Sequence, residues 1–382
     1  MKTEKLYYKD AYIKDFTAEV VSVTEEGGRF AAVLDRTAFF PEEGGQRADE
    51  GEIGGVRVLN VKEVGGVVFH YLDKPITMGK HKCSLEFSGR FDKMQQHTAE
   101  HLASGIIHSL FGGENVGFHL GPDEVTFDTD IPLSEEMLDK VEAMANTAIY
   151  ENRKVSAKIY ALGEPIADEY RSKNEFEGDV RIVTIEGYDA CACCAPHLQR
   201  TGEIGVLKFL KAEKHKGGMR IYMAAGERAY KYFSLLHKSA AGISAALSAP
   251  VGEIRGEVEK LIDAKSALGF EIASLNKKAA KILAAAVEKT EGNLTVAPDG
   301  ITPENLKEFA NAASERVGGI LVALSGEEGN YKYVIISKDR EVSAFIKEAN
   351  TALGGRGGGR GEMAQGSFFA AFEKIKEYFD RL

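Results

Sequence analysis

Gln96-His97-Thr98-Ala99-Glu100-His101 decides how the middle of the chain is read. Around it Met94, Ala99, Leu102, Ala103, Ile106, Ile107 and Leu110 recur at intervals of three and four, and this spacing predicts a helix. On a helix His97 and His101 lie one above the other on a single face, so both imidazoles can reach one point beside the axis. A metal ion suits that point, although a satisfied core pair would look the same. A second half is needed, and Cys191-Ala192-Cys193-Cys194-Ala195-Pro196-His197 offers it. Here thiols and an imidazole crowd a segment that Pro196 keeps out of a helix. Two histidines from a helix and a Cys/His loop complete a tetrahedral zinc set. The alternative is a few buried thiols beside a packed histidine pair.

The 382 residues leave room for two or three domains, and the composition is that of a soluble globular protein. The opening Met1-Lys2-Thr3-Glu4-Lys5-Leu6-Tyr7-Tyr8 lacks an apolar signal region, and no apolar run approaches membrane-spanning length. A cytoplasmic location with no membrane partner is the expectation. Three of the four cysteines fall within positions 191–194, a poor disulfide framework and a good metal cluster, while Cys83 is expected to be packed. A net charge of −10 does not advertise a nucleic-acid partner, because phosphate contacts need Lys and Arg. A local basic stretch nevertheless runs through Lys208, Lys211, Lys214, Lys216 and Arg220.

The expected fold class is α+β, built from several domains. Residues 1–85 carry short β-type runs at 18–23, 31–34, 56–61 and 67–72, which suit a small barrel or sandwich. Between them lies Thr37-Ala38-Phe39-Phe40-Pro41-Glu42-Glu43-Gly44-Gly45-Gln46-Arg47-Ala48-Asp49-Glu50-Gly51, whose paired glycines read first as a tight turn. Residues 86–225 form an α+β module holding the zinc residues: the helix above, a strand through Val125, Phe127 and Asp128, a helix over 134–152 opened by Ser134, and strands over 155–161 and 180–186. In residues 226–292, Val251, Ile254, Val258, Leu261, Leu268, Ile272, Leu275, Ala279, Ile282 and Ala286 keep a heptad spacing that predicts a long helix packed on a partner helix of this chain or a second copy. Residues 293–382 form a C-terminal α/β unit with strands over 319–324 and 333–336 and a helix over 342–353. Its glycine run Gly354 to Gly366 either lets backbone amides approach a phosphate, with Arg356 and Arg360 supplying planar donors, or is a solvated loop.

Four separated motifs resemble one family. They are His97-Thr98-Ala99-Glu100-His101; Cys193-x-x-x-His197 followed by Arg200-Thr201-Gly202-Glu203-Ile204-Gly205; Phe40-Pro41-Glu42-Glu43-Gly44-Gly45-Gln46; and Gly354 to Gln365. In order and spacing they resemble alanyl-tRNA editing proteins of the AlaX type, over essentially the whole chain. The resemblance implies a free-standing deacylase acting on tRNA(Ala) mischarged with serine, and also with glycine. It carries the zinc ligands over to His97, His101, Cys193 and His197, and links Gly44, Gly45 and Gln46 to discrimination of the misattached amino acid. It further implies that residues 293–382 are a DHH-associated domain that holds tRNA, with Arg356, Gly357, Gly358 and Arg360 as contacts, and self-associates there or through the heptad helix. One departure lies between Cys193 and His197, where the family more often has Gly and Thr, so Cys194 competes as a ligand.

A synthetase pocket for alanine cannot strongly reject serine, which is one hydroxyl larger, so a second site has to remove the error. Ester hydrolysis there needs a positioned water and a stabilised oxyanion; zinc serves either need or orients the substrate. Gln96 and Thr98 are candidate polar contacts for that chemistry, or ordinary helix-surface residues. A metalloprotease would want glutamate directly after the first histidine, where Thr98 stands. A non-catalytic, zinc-stabilised RNA-binding module is the rival from another class, because a shell of four protein ligands is usually structural. A complete synthetase is not expected, since little chain precedes the editing motifs.

Overall fold

The computed structural model describes residues 2–26, 29–122, 124–166, 169–172 and 178–382. They divide into two compact units, Met1–Ala241 and Gly242–Leu382, with the division falling inside helix α3, Gly226–Leu247, rather than in a linker.

The first unit begins with six strands: β1 Asp15–Glu26, β2 Arg29–Leu34, β3 Gly51–Ile53, β4 Val56–Val64, β5 Val67–Leu72 and β6 Gly79–Leu85. Their pairing order β1-β2-β5-β4-β3-β6 returns to β1 and closes a barrel. Strand alternation would send Val58 and Val61 to opposite faces, yet both are buried, because the register shifts between Val58 and Asn60. Cys83 lies in this core, as expected. Strands β3 and β6 carried little signal. One has three residues, and the other, Gly-Lys-His-Lys-Cys-Ser-Leu, buries only Cys83 and Leu85.

Helix α1, Phe87–Phe111, follows the barrel directly. The Glu86 carboxylate caps it by accepting from the Gly89 amide at 2.6 Å, and Gly112 ends it in a left-handed conformation. Every residue from Met94 to Ile107 is buried, so this is not an amphipathic surface helix, and its polar side chains must find partners inside the fold. A four-stranded sheet lies beside it, built from β7 Asn115–Leu120, β8 Val125–Thr129 and the hairpin β12 Leu207–His215 and β13 Gly218–Ala225. Helix α2, Glu135–Tyr150, starts at Ser134, whose hydroxyl accepts from the Met137 amide. A three-stranded sheet, β9 Val155–Tyr160, β10 Val180–Ile185 and β11 Asp189–Ala192, leads into the cysteine segment. The basic stretch is largely neutralised here, since Lys208 pairs with Glu142, Lys211 with Glu213 and Arg220 with Asp128.

In the second unit, a five-stranded sheet is covered on both faces. Its strands run in the order β14 Leu294–Val296, β15 Ile320–Glu327, β16 Asn330–Ser337, β18 Met363–Phe368 and β17 Arg356–Arg360. Along β15, Ile320, Val322 and Leu324 pack with helices α6 Ile346–Ala352 and α7 Phe372–Asp380. Leu321 and Ala323 pack with α5 Leu306–Ser314 and the end of α4 Ile254–Ala285. That double burial explains the unbroken apolar run. The glycine segment corrects the expectation of a loop, for residues 356–360 are an exposed edge strand paired to β18. Ladder bonds need no side chains, and the glycines let Tyr333 approach closely, its hydroxyl 2.5 Å from where a Cβ on Gly357 would stand. The heptad residues Val258, Leu261, Leu268, Ile272 and Leu275 stand exposed, and only Ala280 and Ala284 of α4 are buried. Among the described residues of this unit, no helix covers that seam. No described helix of the chain is long and apolar enough to cross a membrane.

Candidate metal centre and its cleft

His97 and His101 project from one face of α1, and the segment after β11 brings Cys193 and His197 to meet them. The four donor atoms all lie within 4.8 Å of one another. Cys193 Sγ stands 3.4 Å from His197 Nε2 and 3.7 Å from His97 Nε2. Donors at ordinary zinc distances sit about 3.3 to 3.8 Å apart on the edges of a tetrahedron, so the set fits such an ion.

The other ring nitrogen of each imidazole is held by the fold. His97 Nδ1 donates to Gln46 Oε1 at 3.1 Å, His197 Nδ1 to Thr98 Oγ1 at 3.1 Å, and His101 Nδ1 lies 3.3 Å from the Asp189 carboxylate. Each contact turns an Nε2 inward, as outer partners of metal-ligating histidines do. Burial holds His197 down to about 3, so its imidazole is neutral and ready to ligate. Burial also opposes the Cys193 thiolate, but the His97 imidazole and the hydrogen bond from His101 hold the thiol well below its ordinary range. Cys194 goes the other way: burial raises its thiol, and the neighbouring Cys193 charge adds to this. Cys193 is therefore the thiol in the cluster.

Two close approaches make this geometry. A Cβ at Gly105 of α1 would stand 2.6 Å from Asp189 Cβ and 2.7 Å from Tyr188 O, so only glycine lets β11 come near enough for Asp189 to reach His101. Gly44 and Gly45 take positive φ values of 62° and 81°, and Glu43 pairs with Gln46 across them, which is the expected tight turn. The turn docks on β7, the Leu120 amide donating to Gly45 O at 2.9 Å, and this delivers Gln46 to His97. A buried ion pair fixes the same loop to α1. Arg90 and Lys93 flank Asp49, and Arg90 also donates to the carbonyls of Ala11 and Ala38.

The cluster forms part of the wall of a cleft of about 1290 Å3, shared with Glu43, Gly44, Phe118, Glu100 and Arg181. Of the two helix residues expected to touch substrate, Thr98 is buried and occupied in holding His197 while accepting from the Leu198 amide. Gln96 is not in the cleft at all. Its side-chain amide exchanges two hydrogen bonds with the Ala225 backbone, tying α1 to β13. Arg356, Gly357, Gly358 and Arg360 lie in the second unit, on its edge strand.

Several residues of this site escaped the sequence reading. Arg171 donates to Asp189 at 2.8 Å and to Ser104 at 3.2 Å. Arg181 pins the cysteine segment by donating to the carbonyls of Cys193 and Ala195. Glu100 accepts from Ser104 and Asn115. Only Glu100 had a usable signal, since it lies one helical turn from His97.

Residues 180–222 match the family described as the threonyl and alanyl tRNA synthetase second additional domain, and residues 273–382 match the DHHA1 domain. The full chain is 30% identical to an alanine–tRNA ligase of Ignicoccus hospitalis and 31% identical to one of Pyrococcus furiosus, and spans 43% of the length of each. It is 27% identical to the alanyl-tRNA editing protein Aarsd1 of Mus musculus, with 94% of this chain and 93% of that one covered. With the four motifs, the His/Cys cluster and both domain matches in one order, the chain is similar over nearly its whole length to the alanyl-tRNA editing proteins, in a form that ends in a DHHA1 domain.

Proposed function

We propose that this protein works in the cytoplasm as a hydrolase that deacylates tRNA(Ala) carrying the wrong amino acid, chiefly serine and also glycine, with one zinc ion held by His97, His101, Cys193 and His197. The observation that carries this reading is the contact between Gln46 and His97, which brings the glycine turn and the metal cluster to one cleft. The four residues would hold a zinc ion, and the chemistry it would supply there is polarisation or orientation of the ester carbonyl. The chain's own groups do the rest. Gln46 Oε1 is committed to His97, while Gln46 Nε2 is buried without a hydrogen-bond partner among the described residues. Gln46 therefore stands behind His97 and orients it, while Glu43 and Gly44 of the same turn line the cleft beside the metal cluster. A site that hydrogen-bonds the serine hydroxyl leaves its partner unpaired when alanine occupies it, which is the asymmetry an editing enzyme needs. Thr98 serves by positioning His197, and Gln96 by fixing α1. The second unit holds the tRNA through Arg356 and Arg360 beside Gly357 and Gly358, and the exposed α4 seam pairs two copies.

A closed shell of four protein donors also favours a second reading, a non-catalytic module stabilised by zinc. Release of free serine from seryl-tRNA(Ala) separates the two. A deacylase releases serine, and His97→Ala abolishes the release while circular dichroism stays unchanged. A binding module releases none.

A further inference from the structure

Glu100 is a buried carboxylate, 3% exposed, on the cleft side of α1 between the two histidine ligands. Its Oε1 accepts from both Ser104 Oγ and Asn115 Nδ2. No ion pair among the described residues includes Glu100, and the nearby Arg171 guanidinium is committed to Asp189 and Ser104. A glutamine at this position would accept the same two hydrogen bonds through its own carbonyl oxygen. Glu100 and the Arg171 guanidinium attract each other through space, but Arg171 bonds to Asp189 and Ser104 and makes no direct contact with Glu100. Among the described residues no hydrogen bond to Glu100 Oε2 is formed, and Glu100 lines the cleft.

Resting on the deacylase reading, we propose that Glu100 binds the α-ammonium group of the aminoacyl ester and thereby restricts the site to esters with a free amino group. In such a substrate the ammonium is two bonds from the carbonyl carbon. With the carbonyl beside His97 and His101, the ammonium falls next to the residue that lies between them in sequence. It is also the one positive charge that every aminoacyl ester carries, whichever side chain follows. Glu100 thus reads what the substrates share, and the glycine turn reads what distinguishes serine. N-acylated esters, such as peptidyl or formylated aminoacyl-tRNA, bring a neutral amide to a buried carboxylate and are refused.

The test compares seryl-tRNA(Ala) with N-acetylseryl-tRNA(Ala) on the full-length, zinc-loaded protein. Wild type should favour the free amine by about 10- to 100-fold in kcat/KM, the range of a charge-assisted hydrogen bond. Glu100→Gln should bring the two rates together with zinc content unchanged, and Glu100→Asp should retain part of the preference. A carboxylate that only balanced the charge of the metal would move zinc content and leave the preference intact. Binding of 3′-deoxy-3′-(L-serylamino)adenosine and of its N-acetyl derivative, by calorimetry, reads the same contact without hydrolysis. Hydrolysis of neither tRNA sinks the deacylase reading, while the two amides still decide the ammonium site. Equal rates on both esters in wild type, equal or absent binding of the two amides, or an unchanged preference in Glu100→Gln overturns the proposal.

Discussion

Cys193 and Cys194 are adjacent in sequence and opposite in environment. The Cys193 thiol faces three imidazoles and is held in the thiolate form that binds metal, whereas the Cys194 thiol is buried against Glu43 and pushed up. Cys193→Ser should therefore strip zinc from the purified protein, and Cys194→Ser should keep about one ion per chain; elemental analysis gives the answer, and the reverse pattern would move the ligand by one residue. His70 makes a second prediction. It is sealed in the barrel between Thr37 Oγ1 and Ala32 O, and burial holds it down to about 4, so it is neutral when folded. An unfolded histidine titrates near 6.5, so the unfolded chain takes up the proton first as pH falls. The contribution is complete above about 6.5, is lost progressively down to about 4, and amounts to about 3 kcal/mol. Urea titrations at pH 7 and pH 4.5 should show this loss in wild type and a smaller one in His70→Gln. The histidine pair was legible because helical periodicity fixes which residues share a face. Asp189 and Arg171 were not, because their contacts depend on how β11 approaches α1, and no local pattern records that.

The decisive element is the turn at Gly44 and Gly45. A Cβ at Gly45 would stand 2.3 Å from the Phe118 carbonyl oxygen, in a backbone conformation that side chains already disfavour. Gly45→Val should lift the turn off β7 and withdraw Gln46 from His97. Gln46→Ala should remove the contact and leave the turn in place. Both variants should lower the ratio of seryl to alanyl deacylation rates more than they lower zinc content, and an unchanged ratio in both would free this loop from serine recognition. The sequence disclosed the tight turn but not its docking, since glycine spacing says nothing about a strand seventy-odd residues away. The 356–368 hairpin was hidden for a related reason. Glycine weakens every strand preference, and the pairing is imposed by β18 and Tyr333.

Across the whole molecule, recognition and chemistry are carried by residues far apart in the chain. The buried Asp49–Arg90 pair locks the glycine loop of the barrel to α1, and burial of Asp49 is outweighed by the Arg90 and Lys93 charges that hold its carboxyl below the ordinary range. Removing one partner of such a pair is costlier than losing a surface ion pair, and the barrel and the α1 module lie in one compact unit. The second unit is proposed to hold the tRNA. Arg356→Ala with Arg360→Ala should raise KM for seryl-tRNA(Ala) with little change in kcat, and should flatten the salt dependence of binding by about two phosphate contacts. An unaltered KM would remove the edge strand from the tRNA contact. The heptad spacing disclosed the long helix and not its partner, because a seam has the same sequence whether it closes within a chain or between copies.

The most direct test is the initial rate of deacylation of seryl-tRNA(Ala) against alanyl-tRNA(Ala) by the zinc-loaded full-length protein. A site in which the glycine turn beside the metal cluster reads the hydroxyl should favour the seryl ester by on the order of 10² to 10⁴ in kcat/KM. Equal rates on the two esters, or no hydrolysis of either, would contradict it.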